Sequence, residues 1–219
     1  MSTATVRKLL VALLFAPAAL FAAEAGHPLD QAPIEPQDLV SLQAGARTYV
    51  NYCLGCHGLQ YMRYNRLTDL GLTEAQIRDN LMFTAEKVGE TMKTPLSVKD
   101  GKAWFGVPPP DLSVVSRSRG ADWLYTYLRT FYRDPKTSHG WNNKVFHNAA
   151  MPHVLWKLQA EQNAVQYDAT VRDLVNFLVY VGEPSAQSRK NIGIVVLFVL
   201  GVLFVLAYAM KKAFWKDVR

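Results

Sequence analysis

Cysteine is scarce in this 219-residue chain, which contains only Cys53 and Cys56. Two cysteines exclude a framework of several disulfides, and a closed zinc site would need four ligands, for which no second cysteine pair exists. A redox-active disulfide of the thioredoxin type is an alternative, but that motif belongs beside a β-α-β pattern, which the sequence lacks. The pair therefore has to be interpreted from the residues around it.

An excess of charge of one sign is also missing from the central part of the chain. The formal net charge is +6, but of the 24 Lys and Arg residues two lie near the N-terminus and six flank a C-terminal apolar run, which leaves 16. The 18 acidic residues likewise fall to 16 once Glu24 and Asp217, near the two ends, are set aside. A neutral central part excludes the basic surface that nucleic-acid binding requires.

Both cysteines fall in the segment Cys53-Leu54-Gly55-Cys56-His57, which matches the attachment pattern of a c-type haem. Thiols three positions apart can add to the two vinyl groups of one porphyrin edge, and the next residue offers an imidazole to the iron. The sequence therefore predicts one covalently attached haem c, held by Cys53 and Cys56 and ligated by His57.

The N-terminal 25 residues have the layout of a secretory signal peptide. Arg7 and Lys8 precede a short apolar run, and small residues follow it, so we expect cleavage after Ala22 or Ala25. An uncleaved anchor is the alternative, but the run is short for a membrane span.

A second apolar run, from Ile192 to Met210, contains no charged residue and would reach roughly 28 Å as a helix, close to the hydrocarbon thickness of a membrane. More basic residues follow it than precede it, which predicts a cytoplasmic tail. We therefore expect a periplasmic haem domain over residues 26–188, with a membrane anchor and basic tail over residues 189–219. The predicted location is the bacterial cytoplasmic membrane, crossed once.

Helical periodicity recurs along the chain, and no segment alternates as a strand does. Asp38 caps a predicted helix that ends at the haem motif, and Thr73 with Gln76 forms a capping box for another. Two further apolar stripes predict helices: Leu124, Leu128 and Phe131 after Asp122, and Val171, Leu174, Val175, Leu178 and Val181 before Gly182. The predicted fold class is all-α, a single c-type cytochrome domain followed by one transmembrane helix.

The second axial position of the iron decides between electron transfer, if it is filled, and gas binding or peroxidatic chemistry, if it is open. The candidates in the predicted exported domain are Met62, Met82, Met92, Met151, His27, His139, His147 and His153. Met151 is favoured because Pro152 holds an extended loop and the alanines before it permit close approach to a flat ring. His147 and His153 remain alternatives.

Several segments beyond the haem motif resemble those of the cytochrome c1 family, the haem subunits of cytochrome bc1 complexes. The segments are Pro108-Pro109-Pro110-Asp111-Leu112-Ser113, Ala150-Met151-Pro152, Asn176-Phe177-Leu178, Gly182-Glu183-Pro184 and Tyr208-Ala209-Met210-Lys211-Lys212. The resemblance implies that His57 and Met151 are the axial pair and that the carbonyl of Pro110 accepts a hydrogen bond from His57. It also implies that Arg119 pairs with a haem propionate, with Arg117 as a rival.

The same resemblance implies an electron relay, which receives single electrons from a Rieske-type iron–sulfur subunit and passes them to a cytochrome c beside cytochrome b in the membrane. The oxidoreductase activity would then belong to the complex and not to this chain alone. The alternatives are a tethered cytochrome of another redox complex, an open-site haem sensor or enzyme, and a tethered domain whose cysteines form a disulfide.

Overall fold

The computed structural model describes residues 26–217, so the predicted signal peptide lies outside the described residues. The helices are α1 (Leu39–Tyr52), α2 (Glu74–Asn80), α3 (Val98–Phe105), α4 (Val115–Arg119), α5 (Ala121–Arg129), α6 (Trp156–Glu161), α7 (Ala164–Gly182) and α8 (Ala186–Phe214), with a 3-10 helix over Tyr64–Leu70. The strands are β1 (Leu59–Arg63), β2 (Thr91–Met92), β3 (Phe131–Arg133) and β4 (Trp141–Asn143).

The predicted mainly helical fold is confirmed, and several helix ends lie where the sequence placed them. The carboxylate of Asp38 accepts from the backbone amides of Val40 and Ser41 at the start of α1. Thr73 and Gln76 form both hydrogen bonds of a capping box at the start of α2. Because α1 ends at Tyr52, the haem motif follows it directly.

The structure adds two small antiparallel sheets to this mainly helical fold, in which β1 pairs with β2 and β3 pairs with β4, and it corrects both ends of the helix predicted after Asp122. These strands are two to five residues long, too short to show an alternating pattern. Asp122 lies in the first turn of α5 and does not precede it, because the left-handed φ of +89° at Gly120 starts the helix. Phe131 then lies in β3, since α5 ends at Arg129.

The main helix–helix packing before α8 is the crossing of α1 and α7. Gly45 permits the close approach, because a Cβ atom there would lie 2.0 Å from the carbonyl oxygen of Asp173 and 2.7 Å from Cβ of Phe177. The rings of Tyr49 and Phe177 then meet with centroids 5.8 Å apart, and both side chains are fully buried. This crossing fixes the end of α1, and with it the haem motif.

Helix α8 is longer than the predicted anchor and begins at Ala186. It is the one helix in residues 26–217 that is long and apolar enough to cross a membrane, and none of its apolar window is buried against the rest of the chain. Apolar surface of this extent is unfavourable in water, so α8 fits a membrane anchor. At its start, Arg189 donates to Glu183, which also accepts from Arg117 at 3.1 Å.

Candidate haem site

A largely apolar crevice of about 380 Å³ lies between the haem motif, α5, α7 and the loop that carries Met151. Its lining includes Cys53, Cys56, His57, Pro110, Arg119, Trp123, Leu124, Tyr127, Leu128, Met151, Leu174 and Leu178. A concave apolar site with a few polar groups is typical of cofactor binding, for which volumes of roughly 300 to 1,000 Å³ are usual. The crevice brings together the six residues to which the sequence analysis assigned a role at the haem: Cys53, Cys56, His57, Pro110, Arg119 and Met151.

One ring nitrogen of His57 is committed to a hydrogen bond within the protein. Nδ1 lies 2.7 Å from the carbonyl oxygen of Pro110. A carbonyl can only accept, so Nδ1 carries the proton and Nε2 keeps its lone pair. Burial lowers the pKa of His57, which favours the neutral ring. His57 is therefore in the form in which an imidazole binds iron.

The loop that carries Pro110 is attached to the chain just after the haem motif. The two carboxylate oxygens of Asp111 accept from the backbone amides of Gln60 and Ser113, each at 2.9 Å. The amide of Leu112 donates to the carbonyl of Gly58 at 2.9 Å. These bonds hold the Pro110 carbonyl at His57. The physical role of the Pro-Asp-Leu-Ser segment is therefore to fix the acceptor of the His57 proton, which the sequence alone did not show for Asp111 and Leu112.

The two cysteines do not have the environment of a redox-active thiol pair. Burial raises the pKa of Cys53 to about 12 and also raises the pKa of Cys56. Reactive CxxC pairs depend instead on a thiol with a lowered pKa. Both side chains line the crevice, where thioether links to a porphyrin edge would form, so the arrangement fits haem attachment better than disulfide exchange.

Met151 reaches the crevice on a loop that is fixed by hydrogen bonds of the side chains of Asn142 and Asn143. Oδ1 of Asn142 accepts from the amide of Asn148 at 2.9 Å, and Nδ2 of Asn143 donates to the carbonyl of Tyr127 in α5 at 2.7 Å. Asn148 itself has a left-handed φ of +57°, a conformation that asparagine tolerates better than most residues. The loop is thus anchored to α5 before it presents Met151.

None of the other candidate axial ligands lines the crevice. Met62 and Met92 are fully buried in the core around β1 and β2, as expected for packing methionines. His153 is buried with its ring stacked on Phe131 and with Nε2 2.6 Å from Oε1 of Gln159. His147 is exposed. Within residues 26–217, Met151 is the candidate that shares the crevice with His57.

Arg119 and its rival Arg117 have different surroundings. Arg117 pairs with Glu183 at 3.1 Å. Arg119 lines the crevice, and its guanidinium carbon lies 5.1 Å from the centre of the Trp123 ring. It forms no ion pair with any residue in the described part of the chain. This cation is therefore available to an anionic group at the crevice edge.

Sequence reasoning missed the aromatic residues that α5 contributes to the crevice. Trp123 and Tyr127 are four positions apart, so they lie on one helix face, and their rings stack with centroids 4.8 Å apart and planes 9° apart. The hydroxyl of Tyr127 lies 3.6 Å from the sulfur of Met151. The spacing of Trp123 and Tyr127 could have predicted that they share a helix face. The contact of Tyr127 with Met151 could not be predicted from local sequence, because the two residues are 24 positions apart.

Comparison with protein families gives one match that covers most of the chain: the sequence profile described as "Cytochrome C1 family" matches residues 30–218. The chain is 46% identical over 242 residues to cytochrome c1 of Allochromatium vinosum, with 97% of this chain and 99% of the relative covered. It is 47% identical over 230 residues to a protein of Nitrosomonas europaea named "Ammonia monooxygenase gamma subunit", with 97% and 98% covered.

Among solved structures, the chain is similar to a chain of a complex titled "Hyperthermophilic respiratory Complex III". The TM-score is 0.54 with 18% sequence identity, and the match covers 99% of this chain and 98% of the other. At that identity the similarity concerns the fold, which extends over the helical domain and the C-terminal helix alike.

Proposed function

The chain belongs to the cytochrome c1 family, and we propose that it carries one covalently bound haem c, through which a quinol-oxidising complex passes electrons singly to a cytochrome c. Membership of this family makes it a haem protein of respiratory electron transport. In this proposal Cys53 and Cys56 attach the haem covalently, and His57 and Met151 are its axial ligands. When bound, the haem supplies a one-electron couple between ferric and ferrous iron.

The observation that carries the proposal is the shared crevice of His57 and Met151. His57 is neutral, and its Nδ1 proton is held by Pro110, which leaves Nε2 for the iron. A thioether is a soft, neutral ligand that favours the ferrous state over the ferric. With both axial positions filled by protein, this chain would transfer electrons and would not bind gases or peroxide.

The remaining haem contacts follow from the lining of the crevice. The apolar side chains that α5 and α7 place in the crevice would exclude water from a bound haem, and this would tune its potential through the local dielectric. Arg119 is the group that we propose for a propionate, because a guanidinium binds carboxylates through two parallel hydrogen bonds.

We propose that α8 spans the bacterial cytoplasmic membrane beside cytochrome b, with the haem domain on the periplasmic side. The basic residues Lys211 and Lys212 in the last turn of α8 support a cytoplasmic C-terminus. A Rieske-type iron–sulfur subunit is the proposed electron donor. The domain boundary near residue 188 follows from this topology, because the charged start of α8 precedes the uncharged run from Ile192.

The crevice edge offers a surface on which an electron acceptor could dock. Val107 and Phe146 both line the crevice, yet their side chains are 56% and 47% exposed. Exposed apolar side chains around a cofactor edge are typical of contact sites for transient redox partners. We propose that a cytochrome c approaches here.

Met151→Leu tests the proposed ligation in the intact complex. We expect normal haem content, because the thioether links do not involve Met151, together with a fall in midpoint potential on the order of hundreds of millivolts, within the range of roughly 0.8 V available to axial ligation. The reduced haem should also become able to bind carbon monoxide. Redox titration and carbon monoxide difference spectra provide the measurements.

Met62→Leu, Met82→Leu and Met92→Leu are the matched controls, since each removes a methionine that does not line the crevice. These three variants should keep the parental potential. If Met151→Leu also keeps the parental midpoint potential and its reduced haem does not bind carbon monoxide, another residue is the axial ligand.

The similarity to a protein named as an ammonia monooxygenase subunit supports a second candidate, a redox subunit of a monooxygenase. The subunits that co-purify with this chain from its native membrane distinguish the two. Cytochrome b and an iron–sulfur protein would support the relay, whereas a copurifying monooxygenase without them would support the second candidate.

A further inference from the structure

The phenol of Tyr127 points at the sulfur of Met151. Its oxygen lies 3.6 Å from Sδ, within hydrogen-bond distance for a sulfur acceptor. A thioether has no hydrogen to donate, so the phenol is the donor. The hydroxyl has no other hydrogen-bond partner among residues 26–217.

The ring of Tyr127 is held from several sides. It stacks on Trp123, and Phe131 meets it edge-on with centroids 5.0 Å apart. The backbone carbonyl of Tyr127 accepts from Nδ2 of Asn143, which also organises the loop leading to Met151. The tyrosine and the methionine are therefore positioned by one connected set of contacts.

The hydroxyl of Tyr127 is enclosed by the protein, because the residue is only 8% exposed. A phenol is protonated at neutral pH, so the hydroxyl is available as a donor. A buried hydroxyl without a partner is destabilising, which favours retention of the contact with sulfur.

We propose that Tyr127 is a positioning residue that donates a hydrogen bond to the thioether of Met151 and thereby raises the potential of the haem. The inference rests on the proposed function, because it requires Met151 to be the iron ligand. A thioether sulfur has two lone pairs, so one can bind iron while the other accepts from the phenol. Donation from the phenol withdraws electron density from sulfur, which weakens its support of ferric iron more than of ferrous iron.

Tyr127→Phe in the full chain, within its native complex, tests this. The ring and its stacking remain, and only the hydroxyl is lost. We expect unchanged haem content, continued exclusion of carbon monoxide, and a shift of the ferrous-to-ferric ratio toward ferric by about threefold to tenfold at a fixed applied potential. A tenfold shift corresponds to about 59 mV for a one-electron couple. The sulfur-to-iron charge-transfer band of the ferric protein should move as well.

Tyr167→Phe is the matched control. It also removes a buried phenolic hydroxyl, but one whose hydrogen bond goes to the carbonyl of Leu128, at 2.9 Å, and not to Met151. This variant should lose stability while it keeps the parental potential and charge-transfer band. An unchanged potential in Tyr127→Phe, or an equal shift in both variants, would overturn the inference.

Met151→Leu, measured beside them, separates this inference from the proposed function. If Met151→Leu leaves the potential unchanged, the ligation itself is wrong and the inference fails with it. If Met151→Leu lowers the potential and Tyr127→Phe does not, the ligation stands and only the role of Tyr127 is refuted.

Discussion

At His57, the position of one proton determines whether the ring can bind a metal. The carbonyl of Pro110 accepts from Nδ1, and the carbonyl of His57 accepts in turn from the hydroxyl of the buried Tyr49. A proline in this place has no backbone N–H of its own to satisfy. The orientation of the His57 ring thus depends on Pro110, a residue 53 positions away in the chain.

Asp111 is the residue that holds this arrangement together, so we predict that Asp111→Ala lowers the free energy of unfolding by about 2 kcal/mol. The change leaves two backbone amides, those of Gln60 and Ser113, without their acceptor, and hydrogen bonds to charged groups contribute about 1.5 to 3 kcal/mol. Thermal unfolding followed by the haem circular dichroism measures the effect. Asp79→Ala removes an exposed carboxylate and should behave like the parent.

The residues of the site differ in how far the sequence could predict them. The motif around Cys53 is contiguous, so its chemistry could be read directly. Pro110 and Arg119 were identified through a resemblance, and the geometry then supplied the physical reason for Pro110. The contact between Tyr127 and Met151 depends on how α5 packs against a loop, which local periodicity does not describe.

Among the elements, the helices with a capping signal or a long apolar stripe, such as α1, α2 and α7, were predictable, and the short strands were not. A long apolar stripe with a capping residue, as in the helix after Asp38, specifies a helix by itself. Strands β2 and β3 contain two and three residues, and they form because tertiary contacts place them beside a partner. Gly120 starts α5 with a backbone conformation that side-chain patterning cannot indicate.

Gly45 makes the crossing of α1 and α7 possible, and we predict that Gly45→Ala destabilises the haem domain by about 3 kcal/mol, the upper end of the usual range for overpacking. The obstructing atoms are the backbone carbonyl of Asp173 and Cβ of Phe177, so no flexible side chain can move aside. Thermal unfolding of the detergent-solubilised protein is the measurement.

Gly89→Ala is the control for this substitution, since a Cβ there would meet nothing within 4 Å and the backbone is not left-handed. Its stability should stay within about 0.5 kcal/mol of the parent, as is usual for surface changes. Equal stability of Gly45→Ala and Gly89→Ala would mean that the two helices do not pack as closely as described.

At the scale of the whole molecule, the haem domain and the membrane anchor have separate roles. The crevice residues come from the part of the chain before α8, and the apolar window of α8 is not buried against the rest of the described chain. Capture of the haem should therefore not require the anchor, whereas retention in the membrane and assembly with other subunits should.

A chain that ends at Ser188 tests this division. We predict that it is exported, acquires its haem, and is recovered as a soluble red protein that no longer assembles efficiently into its complex. Haem staining and absorption spectra of the soluble and membrane fractions measure this. Truncated protein that stays in the membrane after a salt wash would mean that the N-terminal apolar run is a second, uncleaved anchor.

The central claim, that this chain relays electrons one at a time within a quinol-oxidising complex, is tested most directly by rapid mixing of the purified native complex. The absorbance of its c-type haem is followed after addition of quinol and then of oxidised cytochrome c. We predict that quinol reduces this haem before external cytochrome c is reduced, and that cytochrome c reoxidises it in a one-to-one electron ratio. A haem that stays oxidised while quinol is consumed, or stays reduced while cytochrome c is reduced, would contradict the account.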